Sequence, residues 1–489
     1  MEHLKQTVAG ISARGNATLF IDGEWVESSG SEMLSVVAPH NEELLLTYAE
    51  ATTDDIDRAV AAARRAFDQG PWPRLSPAER GAQLRKVAAL LAERMPELAE
   101  AWTGQVGAVI GFTSKASYQV PGLFNYYADL CDTFPFVDER VRSSGGKVRV
   151  VREPAGVVAA VTPWNAPLVL LCYKVAAGLA AGCTIVAKPS PETPIDAHIL
   201  AECIQAAGLP AGVFNMLPAG REVGDHLIRH AGVDKVSFTG STLAGKHIAR
   251  ACADRLARVS LELGGKSAAV ILDDANLDHV MQSLVPYSMP ITGQVCFSLT
   301  RVLAPRRRRA EIAEAYVAAV SKVKVGDPFE AGVGMGPLAL SRQLERVQGY
   351  IEKGKAEGAN LALGGGRPSG FNQGFFVEPT VFVDVDPGMT IAKEEIFGPV
   401  VSFIDYDDEA DMIAKANATD YGLHGAVYTE DAERGYRVAR EMRSGSVTVN
   451  GMVVDIEMPF GGFKQSGIGR EGGIEGLETY CETKTIYFA

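Results

Sequence analysis

The chain has 489 residues, 47% of them hydrophobic and 22% charged, and its mean hydropathy is near zero. That profile is globular, and the length exceeds what one hydrophobic core usually supports, so two or three domains are expected. A net charge of −13 and a pI near 5.3 argue against general binding to nucleic acid or anionic membranes.

Met1 to Phe20 carries Glu2, Lys5 and Arg14 and has no sustained apolar run, so it does not read as a secretory signal. Thr53 to Phe67 reads as a capped helix. Its start is rich in Asp, and Ile56, Val60, Ala63 and Phe67 fall on one stripe. Pro77 to Met95 reads as a second amphipathic helix. Val148 to Arg152 and Thr485 to Phe488 look like strands outside the main order. Val157 to Tyr173 carries no charge, but Pro163, Asn165 and Pro167 break it into a strand (Val157 to Val161), a loop and a helix, so it is buried core and not a membrane span. Further strands are expected at Thr184 to Ala187 and Val236 to Phe238, and helices at Ala197 to Ala207 and Ala244 to Ala253. The alternation implies a parallel, doubly wound α/β sheet, and it resumes from Ser267 to about Val449 as a second one. The basic run Arg306 to Arg309 is expected to be a solvated helix start.

Seven scattered cysteines with no C-x-x-C suggest neither a disulfide framework nor a zinc site, and point to a reducing, cytoplasmic compartment. His226 and His230 in HLIRH lack the Glu of H-E-x-x-H and read as helix-surface histidines, so no metal is expected.

Several short segments carry chemistry. GQVCFSLTR (Gly293 to Arg301) sets Cys296 in a loop as a candidate nucleophile, although cysteine is among the most buried residue types and a core thiol is the commoner case. LELGGK (Leu261 to Lys266) places Glu262 between two leucines. Apolar surroundings raise a carboxyl's pKa and suit it to act as a base near neutrality; an exposed strand glutamate is the alternative. Asn165 in TPWNAP follows a strand, where its amide is able to donate to an oxyanion or, instead, to make a local turn. FTGSTLAG (Phe238 to Gly245) supplies a strand, a glycine turn and a helix start, the elements of a phosphate site. Lys188 in KPSPETP ends a strand and is placed to bond ribose hydroxyls or a phosphate, unless it is a surface lysine.

Taken together, PWN, KPS, FTGST, LELGGK, GQVC, EEIFGPV (Glu394 to Val400) and PFGGFKQSG (Pro459 to Gly467) resemble the aldehyde dehydrogenase superfamily in kind and order. The likeness runs from FIDGEWVES (Phe20 to Ser28) to the C-terminal strand, and Glu262 and Cys296 stand 34 residues apart as in that family.

The resemblance implies two doubly wound α/β domains, a Rossmann-like cofactor domain and a catalytic domain, plus a small β oligomerisation element. The implied bounds are 1–123 with 154–262, then 263–472, and 124–153 with 473–489. It implies Cys296 as nucleophile and Glu262 as general base. Asn165 and the Cys296 N–H would form the oxyanion hole, and Lys174 would assist proton movement. Lys188 would hold the adenosine ribose, Ser241 the pyrophosphate and Glu395 the nicotinamide ribose. Trp164 and Phe397 would line the cofactor cleft, with Thr162, Pro163, Ser190, Gly240 and Gly264. A homodimer or homotetramer is implied.

Two departures stand out. A Glu three residues after the KPS lysine in many NAD-preferring relatives is here Pro191, with Glu192 one later. That removes a repulsion against a 2′-phosphate without adding a positive partner, so NAD is expected, with NADP tolerated. Thr292 stands where relatives often have Asn. The aldehyde tunnel, by local alignment, would be walled by Leu170, Tyr173, Val295, Phe297, Val454 and Phe460. All are apolar or aromatic, which favours apolar aliphatic, terpenoid or aromatic aldehydes over acidic semialdehydes. A CoA-acylating relative is disfavoured by the presence of Glu262, and a silent binding protein by the presence of Cys296, Glu262 and Asn165. No G-x-S-x-G of a serine hydrolase occurs.

Overall fold

The computed structural model describes residues 1–488. Five parallel strands form the centre of an eight-stranded sheet. In spatial order they are Arg258–Glu262, Lys235–Thr239, Val157–Val161, Thr184–Lys188 and Phe214–Met216. The three middle strands are buried along their whole length, as expected of apolar runs covered by helices on both faces. Helix Pro167–Ala181 covers one face. Pro167 starts it at a position that needs no N–H donor, and Gly182 ends it at φ 95°, a left-handed conformation that only glycine adopts without cost.

The order of these strands positions the site. The chain runs from Val157–Val161 outward through Thr184–Lys188 and Phe214–Met216, then crosses back to Lys235–Thr239 on the other side. The reversal therefore lies between the Val157 and Lys235 strands, and a crevice opens beyond their C-terminal ends. The loops emerging there carry Thr162–Asn165 and Gly240–Ser241.

A second, seven-stranded sheet is parallel except for its Asn360–Leu363 edge. Its order is Asn360–Leu363, Thr380–Val383, Val400–Tyr406, Arg301–Pro305, Ala268–Ile271, Gly425–Tyr428 and Thr448–Val449. A third sheet of three antiparallel strands joins Val137–Val141, Lys147–Pro154 and Cys481–Tyr487. Among the described residues no helix is long and apolar enough to cross a membrane.

Helix Thr53–Asp68 forms as expected, closed by a capping box in which Thr52 and Asp55 exchange bonds of 2.9 and 3.3 Å. Three details differ from expectation. The helix from Pro77 stops at Glu93, and a second begins at Met95, because Pro96 lacks an N–H and is tolerated only in a first turn. His230 lies just past helix Arg221–Arg229, so only His226 is on its surface. The arginine run is a short 3-10 turn, with the helix starting at Arg309. It is ion-paired rather than free: Arg306 and Arg309 with Asp405, Arg306 with Asp407, Arg307 with Asp273 and Arg308 with Glu311.

The distant segment Gly467–Ile468 closes the edge of the first sheet, pairing antiparallel with Leu261 and Glu262. Gly467 has φ 145°, and a Cβ there would lie 2.1 Å from the Leu261 carbonyl oxygen. Gly467→Ala is therefore expected to destabilise the protein by ~2–4 kcal/mol in urea unfolding, and a loss below ~0.5 kcal/mol would show that the edge gives way freely.

Candidate active site

Glu262 ends its strand between two neighbours. Its backbone pairs with Thr239 on one side and Gly467 on the other, and its carbonyl accepts from the Gly240 N–H at 3.0 Å. Leu263 and Gly264 are tied to Ser466 by bonds of 3.0 and 2.6 Å. The side chain is 3% exposed, and neither carboxyl oxygen has a hydrogen-bond partner among the described residues. Burial, then the Glu471 carboxylate, push its pKa well above the ordinary value, with Lys174 pulling the other way.

Cys296 faces this carboxyl. Burial, then the charges of Glu262 and Glu395, raise the thiol well above its usual value. Of the seven cysteines, all unpaired, five are buried, and Cys296 and Cys481 are only partly so. Its approach loop is strained. Ile291, Thr292 and Gly293 all have positive φ (48°, 57° and 73°), which costs β-branched residues more than asparagine. The loop is held from outside: the Thr292 hydroxyl donates to the Gly336 carbonyl at 3.0 Å, and the Ala339 N–H to the Gln294 side chain at 3.0 Å. A Cβ on Gly293 would lie 2.2 Å from the Gly398 carbonyl oxygen, and one on Gly265 would lie 2.3 Å from that of Cys296.

Asn165 is buried, and its side-chain amide donates to the Gln294 carbonyl at 2.8 Å. That bond uses one of the two amide hydrogens and fixes the group beside the Cys296 loop, leaving the second for another acceptor. Its own carbonyl is held by the Trp102 indole at 2.9 Å. Lys174 is fully buried and donates to the Thr239 hydroxyl at 2.6 Å and to Glu471. Glu471 was not anticipated from sequence. Its short Gly-rich context contains no periodic signal, and only the fold brings it to Lys174.

The groups expected to meet a dinucleotide line the crevice. Trp164 and Phe397 stand edge to face with ring centroids 5.5 Å apart. Phe397 has φ 62°, and its carbonyl is held by Gln343 at 2.6 Å. Glu395, which burial raises to about 7, accepts from the Gly265 N–H at 2.9 Å, and a Cβ on Gly264 would strike its carboxylate at 2.3 Å. Ser241 caps helix Thr242–Ala253 through a 3.3 Å bond to Ala244, so the positive end of that helix faces the crevice.

Lys188 is buried rather than on the surface, and burial lowers its ammonium to about 8. It donates only to the Pro189 and Ala219 carbonyls, at 3.0 and 2.7 Å, and the buried Thr162 hydroxyl has no partner. These residues fit a bound dinucleotide: an under-used cation, an orphan hydroxyl and a helix N-terminus lie at one crevice. Ser190 bonds Glu192, which in turn pairs with Arg342. A positive group does therefore stand near this end of the cleft, contrary to expectation; it comes from a helix 150 residues further along the chain.

Of the tunnel candidates, Tyr173 and Val295 are buried and Leu170 partly so. Phe297 and Phe460 stand edge to face, with ring centroids 6.1 Å apart. Val454 sits partly exposed on an irregular stretch. Ile456 on the same stretch, not anticipated, packs near Gly122. No group of three or more His, Cys, Asp or Glu is arranged to hold a metal among the described residues.

A doubly wound sheet whose switch-point crevice is lined in this way defines a dinucleotide-dependent oxidoreductase. Residues 25–486 match the model of the aldehyde dehydrogenase family. Geranial dehydrogenase of Castellaniella defragrans is 43% identical over 470 residues, covering 96% of this chain and 98% of the relative. A Mycobacterium tuberculosis aldehyde dehydrogenase solved with NAD+ superposes with a TM-score of 0.95 at 43% identity, covering 96% of this chain and 98% of that one. A mutant of aldehyde dehydrogenase C from Pseudomonas syringae, solved with NAD+ and octanal, gives a TM-score of 0.93 at 39% identity, with 97% of both chains covered. The chain belongs to the aldehyde dehydrogenase family: it oxidises an aldehyde to the carboxylic acid, with NAD as cofactor.

Removing one member of a buried ion pair strands the other charge. Lys174→Met is expected to cost ~3–5 kcal/mol in urea unfolding, and the double change Lys174→Met with Glu471→Met to cost less. A double variant whose cost equals the sum of the Lys174→Met and Glu471→Met costs would show that the pair is not energetically coupled.

Proposed function

We propose that Cys296 is the nucleophile and Glu262 the base in an aldehyde oxidation that ends in hydrolysis. The unpartnered carboxyl of Glu262, buried opposite the thiol of a cysteine that is itself only partly covered, carries this reading. The Cys296 thiolate attacks the aldehyde carbon. The second Asn165 amide hydrogen and the Cys296 N–H receive the oxyanion of the thiohemiacetal. Lys188, Ser241 and Glu395, with the Trp164 and Phe397 walls, would hold the dinucleotide, which when bound accepts the hydride. Glu262 then takes a proton from water as that water attacks the thioester, releasing the acid and restoring the Cys296 thiolate. Lys174 and Glu471 offer a buried route for the proton leaving Glu262. Residues 1–123 with 154–262 would hold the cofactor and 263–472 the nucleophile.

Apolar lining at Leu170, Tyr173, Val295, Phe297 and Phe460 favours apolar aliphatic, terpenoid or aromatic aldehydes. The names of the relatives that act on geranial or bind octanal support that class. The C-terminal strand Cys481–Tyr487 is paired on one side only, and its Ile486 and Tyr487, with Phe488 just beyond, are exposed, which supports a homodimer or a dimer of dimers. Seven unpaired thiols support a cytoplasmic setting.

Glu262→Gln is expected to lower kcat by about 10²–10⁴-fold while one equivalent of acyl-enzyme accumulates in intact-mass spectra. Full turnover by that variant would rule Glu262 out as the base. Burial raises both Cys296 and Glu262, so their protonated forms persist to higher pH, and kcat/KM for a medium-chain aldehyde is expected to climb as pH rises past neutrality. A profile that falls over that interval would contradict the assignment. A short acidic semialdehyde outperforming octanal or an aromatic aldehyde would refute the tunnel reading. Free acid should form without CoA, and light scattering should show a species of at least twice the monomer mass.

A further inference from the structure

The crevice contains an ion pair that joins two parts of the molecule folded on different sheets. Glu192 lies in the turn after strand Thr184–Lys188 of the first sheet. Arg342 is the second residue of helix Ser341–Ala356, which packs against the loop Glu394–Phe397 before strand Val400–Tyr406 of the second sheet. One Glu192 oxygen receives the Ser190 hydroxyl and the other the Arg342 guanidinium. Arg342 has no other ion pair among the described residues, and its side chain is 61% exposed. The Pro191 carbonyl beside it is fixed by the Tyr48 hydroxyl at 2.8 Å, so Glu192 projects from an anchored backbone, whereas Arg342 is long and free to swing.

Lys188, at the C-terminal end of the same strand, feels both Glu192 and Glu50. That strand end is where a doubly wound sheet presents a side chain to the adenosine ribose. A ribose with two hydroxyls is served by a carboxylate acceptor. A ribose carrying a 2′-phosphate brings about two negative charges, is repelled by a carboxylate and is bound best by a guanidinium. An ion pair this exposed is worth about 0–1 kcal/mol, so breaking it costs less than a phosphate–guanidinium contact returns.

We propose that Glu192 and Arg342 form an ionic latch that sets the choice between NAD and NADP. Closed, it presents the Glu192 carboxylate to the ribose hydroxyls. Opened, it frees Arg342 to pair with a 2′-phosphate. This rests on the assignment of Lys188 to the adenosine ribose.

The test is direct binding of NAD and of NADP to the full-length protein, followed by quenching of tryptophan fluorescence, with thermal melts as a check on folding. Glu192→Gln should raise the ratio of NADP to NAD affinity by about fivefold or more, since one exposed charge contact is worth about 1 kcal/mol. Adding Arg342→Ala to that variant should return the ratio to the wild-type value or below, while Arg342→Lys should keep part of the gain. A ratio unmoved by Glu192→Gln, or a gain that survives Arg342→Ala, overturns the latch. Lys188→Met separates the two levels of the argument. If it leaves binding of both nucleotides intact, the assignment of this cleft end fails and the latch with it. If it weakens both while the ratio ignores Glu192 and Arg342, only the latch fails.

Discussion

The backbone ladder that fixes Glu262 governs much of what this site does. Its strand is gripped on one side by Thr239 and on the other by Gly467, and Ser466 ties down the two residues that follow. Because the backbone is satisfied without help from the carboxyl, the side chain is left buried with neither oxygen paired to another protein group. An unsatisfied buried carboxyl is costly, and the same cost makes it ready to take a proton. The price is recovered by the apolar core behind the sheet, where Leu261 and Leu263 pack with Val236, Phe238 and Ile248.

Backbone strain collects around the same point. Ile291, Thr292 and Phe397 are non-glycine residues with positive φ, and all three lie on loops that meet at the crevice. Two of them are held by contacts from outside their own loops, Thr292 by Gly336 and Phe397 by Gln343, and Gly293 beside them passes close to Gly398. Such conformations survive only where the surroundings over-determine them. Helix Ser341–Ala356 is one such support. Gln343 and Arg346 hold the carbonyls of residues 395 to 397, while Arg342 reaches the other end of the cleft.

Much of this architecture was legible from the chain. Apolar runs at Val157 and Thr184, each followed by a helical pattern, announce a doubly wound sheet, and Cys296, Glu262 and Asn165 stand in motifs with local signatures. Their burial was not legible, because one motif cannot say what covers it: the same residues also read as a surface lysine at Lys188 and an exposed strand glutamate at Glu262. Glu471 and Arg342 were invisible for a different reason. Each acts through a partner far away in sequence, and neither sits in a periodic pattern. The helix break at Glu93 is a local matter, set by Pro96, and was there to be read. The ion-pairing of the Arg306 run depends on Asp273, Asp405 and Asp407, which only folding brings near.

The edge strand at Gly467 and the carboxylate at Glu471 reach the crevice from about two hundred residues beyond Glu262. On a ribosome adding roughly 5–20 residues per second, the first sheet emerges some tens of seconds at most before the segment that closes its edge. During that interval Leu261 and Glu262 present an open strand flank. The nascent chain therefore carries a nearly complete nucleotide fold with an unsealed margin, and the protein becomes chemically competent only once residues 467 to 471 have emerged and docked.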